Sequence, residues 1–239
     1  MKICAISDMH GKLDFNIEES DLLVICGDIT PLAVQSYVTS TNKWFKKKFF
    51  PWLKEQKADK VLVIGGNHDM SLFVDPKPFI DLCNEVNTEL GKDFVTYLNC
   101  EEYIYKGLRI YGTPMCKIFG HWYFMYDENH QDEIYNKYLE EKSNNNETVD
   151  IVIAHDAPYG VSDVCYDMQF PWTRDGEHIG NVAFERFISK LQPKFLFHGH
   201  LHSSNHECET LGKTKVFNVS LLDESYQLAY KPLYIEVDE

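Results

Sequence analysis

The chain has 239 residues and a formal net charge of −14 at pH 7, with 44% apolar and 25% charged residues. That balance excludes the disordered and collagen-like classes, and so acidic a surface disfavours nonspecific binding to duplex phosphate backbones. No apolar run reaches the roughly 18–20 residues of a membrane span, and the opening segment turns acidic at Asp8, unlike a secretion signal. A soluble, cytoplasmic protein is therefore expected. The seven cysteines show no CxxC spacing, and Cys4 and Cys26 lie inside apolar runs, where reduced, buried thiols are expected.

Along the chain, short β-branched apolar runs stop abruptly at residues of metal-ligand type. Lys2–Ser7 runs into Asp8-Met9-His10-Gly11, and Leu22–Cys26 into Gly27-Asp28. From about Val34 to Lys57, Trp44, Phe45, Phe49, Phe50 and Trp52 sit among lysines in a helical pattern that Pro51 should kink or end. Lys43, Lys46, Lys47 and Lys48 read as the solvated face of that helix, not as a nucleic-acid patch. Val61–Ile64 leads to Gly65-Gly66-Asn67-His68-Asp69, after which Pro78–Leu90 reads as a helix. Tyr103–Tyr105 and Leu108–Tyr111 read as a hairpin about Lys106-Gly107, and Asn129–Glu141 as a helix running out into a polar loop, Ser143–Asn146. Ile151–Ala154 leads to His155-Asp156-Ala157-Pro158. After a helix at Ala183–Leu191, Phe195–Phe197 leads to His198-Gly199-His200-Leu201-His202. Val216–Val219 and Leu233–Val237 read as closing strands. No repeat or linker divides the chain, so residues 1–239 are expected to form one α/β domain with mixed sheets.

Continuous apolarity implies strands buried on both faces, and in open α/β sheets ligands collect at the carboxyl ends of the strands. Five such ends point to one shared site. They offer the carboxylates of Asp8 and Asp28, the imidazoles of His10, His155, His200 and His202, and the amide oxygen of Asn67. That set suffices for two divalent cations if one carboxylate bridges them. Mixed nitrogen and oxygen donors suit manganese, iron or zinc better than calcium or magnesium. Two such cations ~3.5–4 Å apart clamp the attacking and leaving oxygens of a phosphoryl displacement and bring the pKa of bound water towards ~7. Gly27, Gly66 and Gly199 would let the chain turn sharply where it presents a ligand.

Taken together and in this order, Asp8-Met9-His10, Gly27-Asp28, Gly66-Asn67-His68-Asp69, His155 and Gly199-His200-Leu201-His202 resemble the five-block signature of the calcineurin-like metallophosphoesterases. The resemblance implies two mixed β-sheets packed as a sandwich flanked by helices. It implies a first metal on Asp8, His10 and His202, Asp28 as the bridge, and a second metal on Asn67, His155 and His200. His68 would be a non-ligand histidine that stabilises the transition state and protonates the leaving oxygen, with Asp69 orienting it. The attacking group would be a metal-bridging hydroxide, with no covalent enzyme intermediate.

Gly112-Thr113-Pro114, His155-Asp156-Ala157-Pro158-Tyr159-Gly160 and Phe217-Asn218-Val219-Ser220, with a later Pro232, are similar to a compact branch of that superfamily. It contains the metallophosphoesterase-domain-containing phosphodiesterases related to class III cyclic nucleotide phosphodiesterases. One departure, Asp156-Ala157 where Gly-Pro or Pro-Pro is commoner, is expected to alter the pocket wall and not the metals. The implied function is hydrolysis of a small, nucleotide-like phosphodiester, cyclic nucleotides included, with manganese or iron, or zinc. Neither a duplex nucleic acid nor a membrane is expected as partner. A phosphomonoesterase or protein Ser/Thr phosphatase is the alternative. A noncatalytic scaffold ranks below both, because the ligand set is intact.

Other residues carry weaker signals. His198 is expected in the core or just behind the ligands, not as a further ligand, and His121, His130, His178 and His206 in surface or loop positions. The aromatic run Phe119–Tyr126 either lines a base-binding cleft or caps the core. Arg174 reads as a salt-bridge partner or an extra phosphate contact.

Overall fold

Residues 1–165 and 176–237 are described by the structure, a computed structural model. The first apolar runs form β1 (Lys2–Ile6) and β2 (Ser20–Cys26), paired in parallel. The crossover to β3 (Ala58–Ile64) carries the aromatic segment as α1 (Val38–Trp44), a π turn over Phe45–Phe49, and α2 (Phe50–Lys54). Pro51 sits in the first turn of α2, so the helical path widens just before it and then continues. A proline there has no N–H to donate, and its ring crowds the carbonyl four residues back, which a π turn relieves. The lysines face water, while Phe45, Phe49 and Phe50 pack on Phe79 with ring centroids 4.8, 6.0 and 5.0 Å away. Phe79 belongs to α4 (Lys77–Leu90), which follows the short α3 (Met70–Val74) and leads to β4 (Val95–Tyr97).

The second half begins with the expected hairpin, β5 (Glu101–Tyr105) and β6 (Leu108–Thr113), with Tyr105 opposite Leu108. A two-residue parallel pair, β7 (Cys116–Lys117) and β8 (Met125–Tyr126), brackets the aromatic run. Then come α5 (Glu128–Asn145), β9 (Ile151–Ala154) and the small pair β10 (Val164–Cys165) and β11 (Glu177–His178). The chain ends through α6 (Val182–Leu191), β12 (Phe195–His198), β13 (Glu209–Leu211), β14 (Thr214–Asn218) and β15 (Leu233–Glu236).

The strands assemble in the orders β15-β1-β2-β3-β4 and β13-β14-β12-β9-β6-β5. The inner strands run parallel, and β15, β13 and β5 are antiparallel edges. One core cluster joins the facing sides: Ile3, Val24 and Ile64 meet Ile110, Ile153 and Phe197. The outer face of the first sheet buries against α1–α4, with Leu23 and Val63 beside Phe49 and Phe79. That of the second buries against α5 and α6, with Leu196 beside Tyr135 and Phe187. The fold is thus a sandwich of two mixed sheets flanked by helices. Each buried Phe or Ile contributes roughly 1.5–3 kcal/mol, and the resulting rigid interior fixes where the strand ends stand. Cys4 and Cys26 are buried free thiols. Among the described residues, no helix is long and apolar enough to cross a membrane.

Candidate metal centre

The five ligand-bearing loops leave β1, β2 and β3 of one sheet and β9 and β12 of the other, and they meet at the seam between them. Sharp backbone turns aim the side chains inward. Asp8, His10, Asp28 and His200 all take the left-handed conformation, at φ 54°, 41°, 51° and 73°. Such conformations cost non-glycine residues on the order of 1–3 kcal/mol and persist where the surroundings enforce them. Here the backbone N–H of Asp8 donates to Gly27 O (3.1 Å) and that of His10 to Asp28 O (2.9 Å). The glycines serve two different needs. Gly27 supplies a positive φ of 95°, whereas Gly66 and Gly199 supply room. A Cβ at Gly66 would stand 2.3 Å from Asp28 Oδ1, and one at Gly199 2.2 Å from Asp8 Oδ2.

Each carboxylate has one oxygen tied to the protein and one turned to the centre. Asp8 Oδ2 accepts from Ser220 Oγ (2.7 Å) and the His200 N–H (2.9 Å). Its Oδ1, though buried, has no hydrogen-bond partner and lies 3.4 Å from His202 Nε2. Asp28 Oδ1 accepts from the His68 N–H (2.8 Å). Asp28 Oδ2 is ringed by the Nε2 atoms of His155, His10 and His68 at 3.4, 3.6 and 4.0 Å. His155 Nδ1 lies 2.8 Å from the Cys26 carbonyl, and His202 Nδ1 lies 3.0 Å from that of Asp223. A carbonyl only accepts, so Nδ1 carries the hydrogen in both rings and Nε2 is the nitrogen left for a cation. Asn67 Oδ1 stands 2.9 Å from His155 Nε2.

Ligand atoms of Asp8, His10 and His202 lie within 4.8 Å of one another, and so do those of Asp8, Asp28 and His155. Asp8 is common to both groups. Asn67 joins the second through His155, and His200 flanks it with ring centroids 5.1 Å apart. Burial works against charge throughout. It brings His10 down to about 4 and His200 to about 3. Burial also lowers His155 and His202, but the charge of Asp28 and the hydrogen bond to Asp8 outweigh it, raising them to about 10 and about 9. In turn, burial pushes Asp8 and Asp28 up, yet His202 and His155 hold both carboxyls below the usual range. A buried cluster whose two carboxyls and two of whose imidazoles favour their charged forms, with Asp8 Oδ1 and His10 Nδ1 buried and unpaired, fits cation binding with release of the protons.

A family profile described as calcineurin-like phosphoesterase matches residues 1–204. The chain belongs to this family. Metallophosphoesterase domain-containing protein 1 of Homo sapiens is 26% identical over 255 residues, covering 99% of this chain and 71% of the relative. The UPF0046 protein C25E10.12 of Caenorhabditis elegans is 24% identical over 249 residues, covering 99% and 81%. A crystal structure at 20% identity shares the fold with a TM-score of 0.63, over 91% of this chain and 89% of its own.

Within this calcineurin-like site, the neighbours of His68 differ from expectation. Asp69 does not orient it. The Asp69 carboxylate accepts from the N–H groups of Ile29, Thr30 and Gly66 at 3.1, 2.9 and 2.9 Å, and from Thr30 Oγ1 at 2.6 Å. It staples the Asp28 loop to the Asn67 loop, and burial with the charge of Asp28 pushes it up to about 6. The residues that touch the His68 ring include Gln35, at Nδ1, and Trp122, whose ring is tilted over it at 4.2 Å between centroids. Burial, ahead of the opposing charge of Asp28, keeps His68 below the ordinary histidine value.

The aromatic run divides between its two expected roles. Phe124 is buried against Gly65, whereas the half-exposed Trp122 and Phe119 stand over His68 and His200. Asp156 is buried, accepting from Lys117 N–H (2.8 Å) and Asn181 Nδ2 (3.0 Å) at the root of that run. Tyr226, which carried no signal in the sequence, sets its ring 4.9 Å from His10 and 5.5 Å from His202.

The remaining histidines are better partnered than expected. His198 is buried as anticipated. His206 stacks on Tyr230 at 3.4 Å and places Nε2 3.0 Å from the His202 carbonyl, bracing the ligand loop. His130 stacks on Tyr126, and His178 bonds Asp163, while His121 is exposed. Arg174 lies outside the described residues.

Proposed function

We propose that this chain is a metal-dependent phosphodiesterase acting on small, nucleotide-like diesters, cyclic nucleotides among them. The observation that carries this reading is Asp28 Oδ2, ringed by three imidazole nitrogens beside the unpaired Asp8 Oδ1. Asp8, His10 and His202 would hold one divalent cation and Asn67, His155 and His200 the other, with Asp28 shared. Manganese or iron suits these donors, and zinc is compatible. Bound cations supply Lewis acidity toward the phosphoryl oxygens and an activated water near neutral pH.

The chain's own contribution is orientation and proton handling. Ser220 and the His200 N–H fix Asp8, the His68 N–H fixes Asp28, and the Cys26 and Asp223 carbonyls fix two imidazoles. His68 points Nε2 at Asp28 Oδ2 from 4.0 Å, outside the ligand set, where its imidazolium form can donate to the leaving oxygen. Preference for a diester over a monoester is supported by the arginines. Arg109 is engaged by Glu102 and Glu147, and Arg186 by Asp132 and Glu128. Among the described residues, none is left to grip a doubly charged monoester. A small anionic substrate also suits a chain of net charge −14, because two cations make the site locally positive.

Asp28→Ala tests the reading through metal analysis and turnover of an aryl phosphodiester. Both metal and turnover should be lost while the fold persists. A folded, metal-free variant that still hydrolyses the diester would overturn the reading.

A further inference from the structure

We infer that Gln35 is the positioning residue of the His68 imidazole. This rests on the reading of His68 as the group that serves the leaving oxygen. Gln35 Oε1 lies 2.5 Å from His68 Nδ1. The carboxylate next door, Asp69, is fully taken up by Ile29, Thr30 and Gly66, so it has no oxygen turned to the ring. Trp122 covers one side of the imidazole, and His10 meets it edge-on with centroids 4.9 Å apart. Those two contacts set the plane of the ring, and the Gln35 contact sets its rotation within that plane. With the amide oxygen toward the ring, Nδ1 carries the hydrogen and donates it. Nε2 then faces Asp28 Oδ2 and the reacting centre, and in the imidazolium form it carries the second proton, the one that passes to the leaving oxygen.

The loop is built to hold this residue. Gln35 N–H donates to the Pro31 carbonyl (3.0 Å), and Thr41 Oγ1 donates to the Val34 carbonyl (2.8 Å), bolting the turn to α1. Asp69 acts upstream of it by gripping Thr30. One loop, from Asp28 to Gln35, thus carries both a candidate bridging ligand and the orienting group of a candidate acid. A neutral amide in this role has a physical rationale. It fixes the ring without adding a third negative charge beside Asp8 and Asp28, where an anionic substrate must approach.

The test uses the manganese-loaded protein and two diesters, one with a p-nitrophenolate and one with an alkoxide leaving group. His68→Ala should lower kcat on the alkyl diester by roughly 10²–10⁴-fold with metal retained. Gln35→Met, which keeps length but removes the acceptor, should lower kcat on that diester by about 10- to 100-fold, and less on the aryl one, with KM and metal content unchanged. Gln35→Glu, which keeps an acceptor oxygen but adds a negative charge, should recover most of the kcat loss while raising KM. The Gln35→Met, His68→Ala double variant should equal His68→Ala alone. If His68→Ala leaves the alkyl diester unaffected, the reading of His68 fails and the inference with it. If His68→Ala is slow but Gln35→Met matches wild type, loses its metal, or multiplies with His68→Ala, the inference alone is overturned.

Discussion

Trp122 leans over His68, its ring tilted 41° to the imidazole, yet is 40% exposed. A large indole held half in water adds little to the core, and on the proposed reading its free face would meet the organic part of the diester. Trp122→Ala should therefore raise KM for an aryl diester by about 3- to 10-fold, the worth of one aromatic contact, and for an alkyl diester by less. Steady-state kinetics on both esters decide it, since equal changes would mean that Trp122 serves His68 alone. Its position shows what a sequence discloses at this scale. Asp8, His10, Asp28, His155 and His202, whose donor atoms the structure gathers, stood out because each is an uncommon donor type close after an apolar run. Trp122 and Ser220 were noticed only as members of an aromatic run and of a motif, and Gln35 and Tyr226 are ordinary loop residues whose places depend on which loop folds over which. Asp69 misled because adjacency to His68 suggested contact. Its side chain instead turns inward to collect N–H groups that burial would otherwise leave unpaired.

The hairpin β5–β6 and helix α5 are joined by a charge cluster around Glu102. Its carboxylate takes Arg109, Lys142 Nζ (2.9 Å) and the Tyr138 hydroxyl (2.7 Å). Burial pushes Glu102 up, but Tyr138, Lys142 and Arg109 outweigh it and hold the carboxyl below its ordinary value. A carboxyl lowered in the folded state adds stability that is complete above its unfolded value of about 4.3 and disappears as pH falls through the folded one. Glu102→Gln should thus cost roughly 1–2 kcal/mol at neutral pH, with the gap to wild type closing as pH drops below about 4. Thermal melts of both proteins across that range check this, and a gap that widens in acid would contradict it.

Elements of this length were well marked in the sequence. The expected helix Pro78–Leu90 is Lys77–Leu90, while Asn129–Glu141 extends to Glu128–Asn145. That helix outlasts its predicted end because Asn146 takes the left-handed cap, at φ 53°, and Lys142 pairs with Glu147 beyond it. The two-residue pairs β7–β8 and β10–β11 are too short to leave a periodicity that could be read.

At the scale of the molecule, site and sandwich are one construction. The first sheet supplies Asp8, His10, Asp28 and Asn67, the second supplies His155, His200 and His202, and the core of Ile3, Val24, Ile153 and Phe197 locks the sheets together. The alternation of strands and helices made the sheets foreseeable. Their packing face to face came from the resemblance, since local patterns do not say which sheet covers which. The most direct measurement is anomalous diffraction from crystals grown with manganese. Two peaks about 3.5–4 Å apart are expected, both against Asp28, one also touching Asp8, His10 and His202 and the other Asn67, His155 and His200. A single peak, or two that avoid Asp28, in protein that turns over a phosphodiester would contradict the shared-cation centre.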